Sequence, residues 1–261
     1  MSLELAAAEL AGGRRYNAGM LSPTVKSLRL AGHILAGIFI VLLRFPGLDR
    51  AARAQQVTHW AAQLLAILAI RVRVTGELPD PKGALIAANH VSWLDIHLLH
   101  SLLPARFISK AEVRDWPIFG MFAEASGTVF LVREKKSDAM RVNQLMAGHL
   151  RAGECLALFP EGTTSDGGGL LPFFPSLFQP AVEAGTRVWP VCIRYRNLDG
   201  SPCGEVAYYG QMNLAQSLKK ILKLKGVRAE VTFLPPIAGT GLARRDLARA
   251  TEAAVRAELQ S

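Results

Sequence analysis

The sequence predicts an α/β fold in which a largely parallel central sheet is flanked by helices and preceded by an N-terminal apolar two-helix segment. From Arg71 onward, short strand-like runs alternate with stretches whose apolar residues recur every three or four positions, as in β-α-β units. Two longer apolar runs precede Arg71, and 261 residues suffice for the core of one such domain. We therefore divide the chain into a basic and apolar membrane-docking segment, residues 1–70, and an α/β domain, residues 71–261.

The N-terminal segment contains the apolar runs LAGHILAGIFIVLL, residues 30–43, and VTHWAAQLLAILAI, residues 57–70. Each is shorter than the roughly 20 residues that cross a bilayer. Arginines flank the runs at four positions, Arg29, Arg44, Arg50 and Arg53. This pattern predicts a helical hairpin lying in one leaflet at an anionic cytoplasmic surface. A tilted single span made by the first run and a pair of buried core helices are the alternatives.

The domain contains eight strand-like runs in order. They are RVRVTG, GALIAAN, RFISK, TVFLVR, CLALFP, RVWPVCIRY, EVAYYG and AEVTFLPPI. Residues 92–104 and 136–152 have helical periodicity, and so does the lysine-rich stretch 213–228. The lysine-rich stretch predicts either an interfacial helix or a solvated amphipathic helix that packs on the domain.

Polar residues follow several of these predicted strands directly. Asn89 and His90 follow GALIAA, Lys110 follows RFIS, Arg133 ends GTVFLV, and Glu161 follows CLALFP. Ligands of α/β proteins collect beyond the carboxyl ends of parallel strands. The sequence therefore predicts one site built from several strand ends.

His90 and Asp95 form the candidate catalytic pair within IAANHVSWLDIHLLH, residues 86–100. In a regular helix, positions five apart are offset by about 140° and separated by roughly 7.5 Å along the axis, too far for direct contact. We therefore expect His90 in a turn between strand and helix and Asp95 in the first helical turns, where the helix dipole favours a carboxylate. Asp95 would then orient the imidazole, and His90 would act as a general base toward a hydroxyl group.

A zinc site made by His90, Asp95, His97 and His100 is the alternative for this stretch. Neither an H-E-x-x-H pattern nor a cysteine ligand supports it, so we expect no metal and interpret His97 and His100 as structural. P-loop and G-x-G-x-x-G patterns are also missing from the sequence, which gives no indication of a nucleotide cofactor.

The net charge of +9 indicates attraction to anionic partners. A noncatalytic basic protein that binds membranes or nucleic acid is therefore a rival hypothesis from another class. No sequence signature of a nucleic-acid-binding fold accompanies the charge, so we expect membrane lipids as partners and no nucleic acid.

Four sequence blocks, NHVSWLD, GTVFLVR, FPEGTTS and VWPVCI, occur in this order over residues 89–193. Together they resemble the glycerophospholipid acyltransferase family, which includes bacterial 1-acylglycerol-3-phosphate acyltransferases. The resemblance implies acyl transfer from a thioester of coenzyme A or acyl carrier protein, with no other cofactor and no acyl-enzyme. It implies that His90 deprotonates the acceptor hydroxyl and that Asp95 orients and charge-balances the imidazole.

The resemblance also implies substrate-binding residues and a location. Arg133 matches the family's arginine block, Glu161, Gly162 and Thr163 match its E-G-T block, and Lys110 matches a basic position that commonly follows the third strand. These residues are implied in binding the acceptor's polar head. The implied location is the cytoplasmic face of a bacterial inner membrane, as a monotopic or single-span protein.

The block FPEGTTS departs from the family pattern at one position. Thr164 stands where the family commonly has an arginine that would bind a phosphate through two hydrogen bonds. In this respect the block resembles the subset that acylates lyso-ornithine lipid, an acceptor without phosphate. The expected acceptor is 1-acylglycerol-3-phosphate, which Arg133, Lys110 and the positive charge favour, and lyso-ornithine lipid is the alternative.

Overall fold

The fold is taken from a computed structural model, which describes residues 22–80, 83–131 and 136–261. Arg133 and the first 21 residues of the predicted membrane-docking segment lie outside these ranges. Side chains are described for all of the ranges except residues 136–139.

Eight strands of the described chain form one sheet. They are β1 (Ile70–Thr75), β2 (Leu85–Ala88), β3 (Ala105–Lys110), β4 (Val129–Leu131), β5 (Cys155–Leu158), β6 (Arg187–Asn197), β7 (Val227–Phe233) and β8 (Ile237–Ala238). The order across the sheet is β1-β7-β6-β2-β5-β3-β4, and β8 pairs with β6. All pairs are parallel except β6 with β7 and β6 with β8, so the predicted largely parallel sheet is confirmed.

The sequence of each strand matches its place in the sheet. β2 and β5, whose sequences are LIAA and CLAL, lie near the centre and are buried at every residue, as continuous apolar runs require. β7 alternates buried and half-buried residues, because only one of its faces is covered by the core. The centre of the sheet is therefore the most strongly apolar part of the fold.

Eight α-helices of the described residues surround the sheet. They are α1 (Pro23–Phe39), α2 (Arg50–Ile67), α3 (Leu94–Leu102), α4 (Phe119–Ala125), α5 (Lys136–Arg151), α6 (Gln179–Ala184), α7 (Leu214–Lys223) and α8 (Arg244–Gln260). Helices α1, α2, α3 and α7 contribute to the core on one face of the sheet, with Ile86 and Ala88 of β2. Helices α5, α6 and α8 contribute to the core on the other face, with Leu85 and Ala87.

Both predicted N-terminal helices are present, and they differ in their surroundings. α1 continues through a π-helical segment, Ile40–Arg44, and within the described residues only the stretch Pro23–Gly47 is long and apolar enough to cross a membrane. Only 22% of its most apolar window is buried in the protein. α2 packs on α3 and buries Ala61, Leu64 and Leu65, so the second apolar run belongs largely to the core.

One predicted strand is wrong. EVAYYG, residues 205–210, forms a 3-10 turn, Gly204–Val206, and then an irregular segment. The apolar character of this run comes from Val206 and Ala207, which are buried in the core. Its backbone does not join the sheet, and the amide of Tyr208 donates to the carbonyl of Val91 instead.

Candidate active site

The turn after β2 carries His90 and is held at the carboxyl edge of the sheet. The side chain of Asn89 forms two hydrogen bonds with the backbone of Ile193 on β6, donating from Nδ2 at 2.9 Å and accepting at Oδ1 at 2.7 Å. This amide continues the β2–β6 pairing beyond the last paired residue, Ala88. These two bonds fix the end of β2. His90 follows directly and lies outside any helix, as predicted for a turn between strand and helix.

Asp95 is the second residue of α3 and is fully buried. Its Oδ2 accepts hydrogen bonds from Nδ1 of His90 at 2.9 Å and from the amides of Val91 and Ser92 at 2.7 and 2.9 Å. Its Oδ1 accepts a hydrogen bond from the hydroxyl of Tyr195 at 2.6 Å. Four donors directed at one buried carboxylate satisfy both of its oxygens and fix its position.

The imidazole of His90 is fixed in orientation as well. It stacks on the ring of Phe159, with centroids 3.8 Å apart and planes inclined by 6°. Because Nδ1 donates to the carboxylate of Asp95, the neutral ring keeps its lone pair on Nε2. The side chain of His90 is 16% exposed, so solvent reaches the ring. An oriented imidazole with a free basic nitrogen can remove a proton from a hydroxyl group.

The block that begins at Glu161 holds the backbone of His90 from both sides. Glu161 is buried and accepts through Oε1 from the amide of His90 at 2.7 Å and through Oε2 from the amide of Leu171 at 2.9 Å. Burial raises the pKa of Glu161, and these two amides act against that rise. The amide and hydroxyl of Ser165 donate to the carbonyl of His90, at 2.8 and 3.3 Å.

Three of the other predicted substrate-binding residues, Lys110, Gly162 and Thr163, lie at the same edge of the sheet. Lys110 is the exposed last residue of β3, and β5 lies between β3 and β2. Gly162 and Thr163 follow Glu161, and Gly162 adopts a positive φ of 71°, a conformation that glycine adopts without strain. Thr163 is exposed. Arg133 lies outside the described residues, two positions beyond the end of β4.

Of the remaining histidines of the opening stretch, His100 is buried and His97 is half-buried. His97 lies between Trp60 and Trp93, with ring centroids 5.7 Å from each. Burial and the nearby His33 lower the pKa of His97 to about 4, and burial and His97 lower that of His100 to about 3. Among the described residues, no group of histidine, cysteine and carboxylate side chains is arranged to hold a metal ion.

A small hollow of about 30 Å³ opens beside Phe159, at the ends of β3, β4 and β5. It is lined by Ile108, Ser109, Leu131, Leu158, Phe159 and Leu177. Five of its six lining residues are apolar, so the ring that stacks on His90 also borders a mainly apolar surface.

Comparison with known proteins shows the family of this chain. The family model described as Acyltransferase matches residues 70–194, which contain the whole His90–Asp95 turn and the Glu161 block. The lyso-ornithine lipid O-acyltransferase of Pseudomonas aeruginosa is 41% identical over 241 residues, which are 90% of this chain and 92% of that protein. The chain belongs to the acyltransferase family.

Other members of the acyltransferase family show how far the similarity extends. The 1-acyl-sn-glycerol-3-phosphate acyltransferase of Neisseria meningitidis is 36% identical over 184 residues, 70% of this chain and 72% of that protein. The crystal structure of the 1-acyl-sn-glycerophosphate acyltransferase of Thermotoga maritima has the same fold, with a TM-score of 0.67. It is 22% identical, and the match covers 90% of this chain and 96% of that one.

Three residues of the candidate site, Phe159, Ser165 and Tyr195, were not assigned to it from the sequence. Phe159 and Ser165 are the first and last residues of the block FPEGTTS. Nothing in the sequence of that block indicates that either residue contacts His90. Tyr195 is 100 positions from Asp95 along the chain. A signal was present for it, because Tyr195 is buried on a central strand and a buried tyrosine hydroxyl needs a hydrogen-bond partner.

Proposed function

We propose that this acyltransferase moves a fatty acyl group from a thioester of coenzyme A or acyl carrier protein to the free hydroxyl of lyso-ornithine lipid. Nε2 of His90 takes the hydroxyl proton as the hydroxyl oxygen attacks the thioester carbonyl. The C–S bond then breaks, and the proton passes from the imidazolium to the leaving thiolate. Asp95 stabilises the imidazolium through its hydrogen bond to Nδ1.

The choice of acceptor reverses the order expected from the sequence alone. The similarity to the Pseudomonas lyso-ornithine lipid O-acyltransferase over 90% of the chain is the observation that carries the proposal. Thr164, in place of the arginine common in the family, supports it, because the loop then lacks a bidentate phosphate ligand. The match to the Neisseria enzyme keeps 1-acylglycerol-3-phosphate as the second candidate acceptor.

The substrate-binding residues expected from the sequence are proposed to contact the acceptor. Lys110, Arg133, Gly162 and Thr163 contact its polar head in this proposal. Both oxygens of Glu161 are engaged by backbone amides, so the proposed contribution of Glu161 to acceptor binding is to fix the loop that carries Gly162 and Thr163.

We also propose that α1 holds the enzyme on the cytoplasmic face of the inner membrane, where its lipid acceptor resides. Its buried residues form one stripe, and its large apolar side chains on the other side are exposed. These are Leu28, Leu35 and Phe39 of α1 and Leu42 and Leu43 of the π-helical segment, which are 57–73% exposed. Exposed apolar surface of this extent is typical of a helix in contact with lipid.

An acceptor panel tests the proposed function. Purified protein is incubated with a labelled acyl thioester of coenzyme A or of acyl carrier protein, and with lyso-ornithine lipid or 1-acylglycerol-3-phosphate. We expect the higher kcat/KM with lyso-ornithine lipid. Preference for 1-acylglycerol-3-phosphate would establish the second candidate instead. No transfer to either acceptor would favour the noncatalytic alternative.

Replacing Thr164 with arginine tests the basis of acceptor choice. We expect T164R to increase kcat/KM for 1-acylglycerol-3-phosphate relative to lyso-ornithine lipid by about tenfold, because one charge-assisted pair is worth about 1.5–3 kcal/mol. Thr164→Gln is the matched control, since it adds length without charge and should leave the preference unchanged. An unchanged preference in T164R would refute the assigned importance of this position.

A further inference from the structure

Outside α1 and the π-helical segment that extends it, the densest exposed apolar surface of the described residues is the turn at residues 116–119, WPIF. Trp116, Ile118 and Phe119 are 45%, 42% and 41% exposed, and the residue between the first two is a proline. A turn in water is ordinarily built from glycine, asparagine, aspartate and serine. This turn instead presents three of the largest apolar side chains to the outside.

The backbone of this turn is strained at Ile118. Ile118 has φ 66° and ψ −51°, and the amide of Phe119 donates to the carbonyl of Pro117 at 2.7 Å. These angles and this bond define a classic γ-turn, which is rare and strained. Ile118 is β-branched, so it tolerates a positive φ especially poorly. Strain of this kind concentrates at functional positions, where the surrounding structure holds it.

The rest of the turn is built to maintain that conformation. The amide of Gly120 donates to the carbonyl of Trp116 at 2.8 Å, and the amide of Phe122 donates to that of Ile118 at 3.0 Å. At Gly120 a side chain would overlap the carbonyl of Arg114, so the chain passes close over itself. The exposed rings therefore project from a hydrogen-bonded framework.

The turn lies next to the exposed apolar helix. Phe119 is the first residue of α4, and Phe122, one helical turn later, packs on Trp60 of α2 with centroids 5.0 Å apart. Phe122 also faces Gly37 of α1 so closely that a side chain at position 37 would overlap it. The helix that begins at the turn therefore packs on the buried stripe of α1, which brings the turn close to α1. On the other side, only the 3-10 segment Ala111–Asp115 separates the turn from Lys110 at the end of β3.

We propose that the 116–119 turn is a second membrane contact, which inserts Trp116, Ile118 and Phe119 into the boundary between headgroups and acyl chains beside the active-site edge of the sheet. Indole and phenyl rings favour this boundary. The contact would hold the carboxyl edge of the sheet against the bilayer, in addition to the contact that α1 makes. This goes beyond the proposed acyl transfer, since membrane contact can be measured without turnover.

Burial of apolar area drives this contact, and charge contributes little. Glu112, Arg114 and Asp115 lie just before the turn together with Lys110, so the charges of this stretch cancel. Insertion of the turn should therefore depend only weakly on salt and on anionic lipid. The turn differs in this respect from a polybasic surface.

Trp116 is a built-in reporter for the test. Of the four tryptophans of the chain, it is the only exposed one, and Trp60, Trp93 and Trp189 are buried or half-buried. The full chain is mixed with phosphatidylcholine–phosphatidylglycerol vesicles that contain brominated acyl chains. We expect the emission of Trp116 to shift to the blue and to be quenched, with both changes missing in Trp116→Phe, which retains an apolar ring. Unquenched emission from vesicle-bound protein, or no vesicle binding at all, would overturn the proposal.

Two further variants separate membrane contact from folding. Replacement of Trp116, Ile118 and Phe119 together by serine should weaken vesicle partitioning by about tenfold or more, whereas Leu198→Ser, at a position 48% exposed, should leave it unchanged. Ile118→Gly relieves the positive φ and should weaken partitioning without lowering the thermal midpoint. Wild-type partitioning by the triple variant would contradict the inference. Acyl transfer to detergent-dispersed acceptor should persist in the triple variant, so loss of the proposed activity would be a separate result.

Discussion

At the scale of single residues, the site depends on the geometry between His90 and Asp95. Their separation of five positions excluded contact within a regular helix, so the sequence predicted a turn followed by a helix start, and the structure confirms it. Sequence analysis could not predict the other donors to Asp95. Tyr195 comes from a strand 100 positions away, and only the folded sheet places β6 beside β2.

Tyr195→Phe tests whether the hydroxyl positions the carboxylate for catalysis. The change removes the 2.6 Å hydrogen bond to Oδ1 of Asp95 and keeps the buried ring. We expect kcat to fall by about tenfold, with KM for the acceptor little changed, because a hydrogen bond to a charged group is worth about 1.5–3 kcal/mol and the remaining donors compensate in part. Steady-state kinetics measure both values. Tyr209→Phe, at an exposed position, is the control, and an unchanged kcat in Tyr195→Phe would argue against a positioning role.

At the scale of elements, the sequence predicted the fully buried strands correctly. It was wrong for an apolar run that packs in the core without pairing in the sheet. β2 and β5 are recognisable because both of their faces are covered, so the apolar run is uninterrupted. EVAYYG looks similar, but its apolar residues fill the core from a segment that is not paired in the sheet. The antiparallel direction of β7 against β6 was not predicted either, since strand direction depends on how the connecting segments cross the sheet.

Glu154, which directly precedes β5, forms ion pairs with side chains from three other elements. It accepts hydrogen bonds from Arg106 of β3, from Arg50 at the start of α2 and from His149 of α5. Burial acts to raise the pKa of Glu154, but hydrogen bonds from Arg50, His149 and Arg106 lower it to about 2.

Glu154→Gln should therefore destabilise the fold at neutral pH. We expect the free energy of unfolding to fall by about 2 kcal/mol, since the change leaves the partly buried Arg106 without its partner carboxylate, while the well-exposed Arg50 loses little. Urea titration at pH 7 measures this loss. Glu183→Gln, at an exposed carboxylate, should change the value by less than about 0.5 kcal/mol, and equal effects of the two variants would contradict the assigned role.

At the scale of the whole molecule, one of the two cores that cover the sheet encloses two histidines, whose side chains ordinarily ionise near neutral pH. His97 and His100 lie in the core between α1, α2, α3 and the sheet, where their pKa values fall to about 4 and about 3. The unfolded chain has ordinary histidines, so it binds protons below pH 6.5 that the folded chain does not bind. Stability is then fully present above pH 6.5 and is lost as the pH falls from there toward 4 and 3.

The unfolding free energy should thus decline as the pH falls from about 6.5 to 5, with a slope that approaches roughly 2.7 kcal/mol per pH unit once His97 and His100 are both protonated in the unfolded chain. This range lies above the region in which Glu154 contributes, so the two effects are separable. Urea titrations at several pH values measure the slope. His100→Gln should reduce it by about half, and a slope that is the same in both proteins would show that His100 is not held neutral.

The most direct measurement of the central claim compares wild type with His90→Ala in the transfer of a labelled acyl group from a thioester to lyso-ornithine lipid. Loss of a general base commonly costs about 10²–10⁴ in rate. We predict transfer by the wild type and a loss of this size in His90→Ala, with the circular dichroism spectrum and thermal midpoint retained. Wild-type rates in a correctly folded His90→Ala would contradict the account.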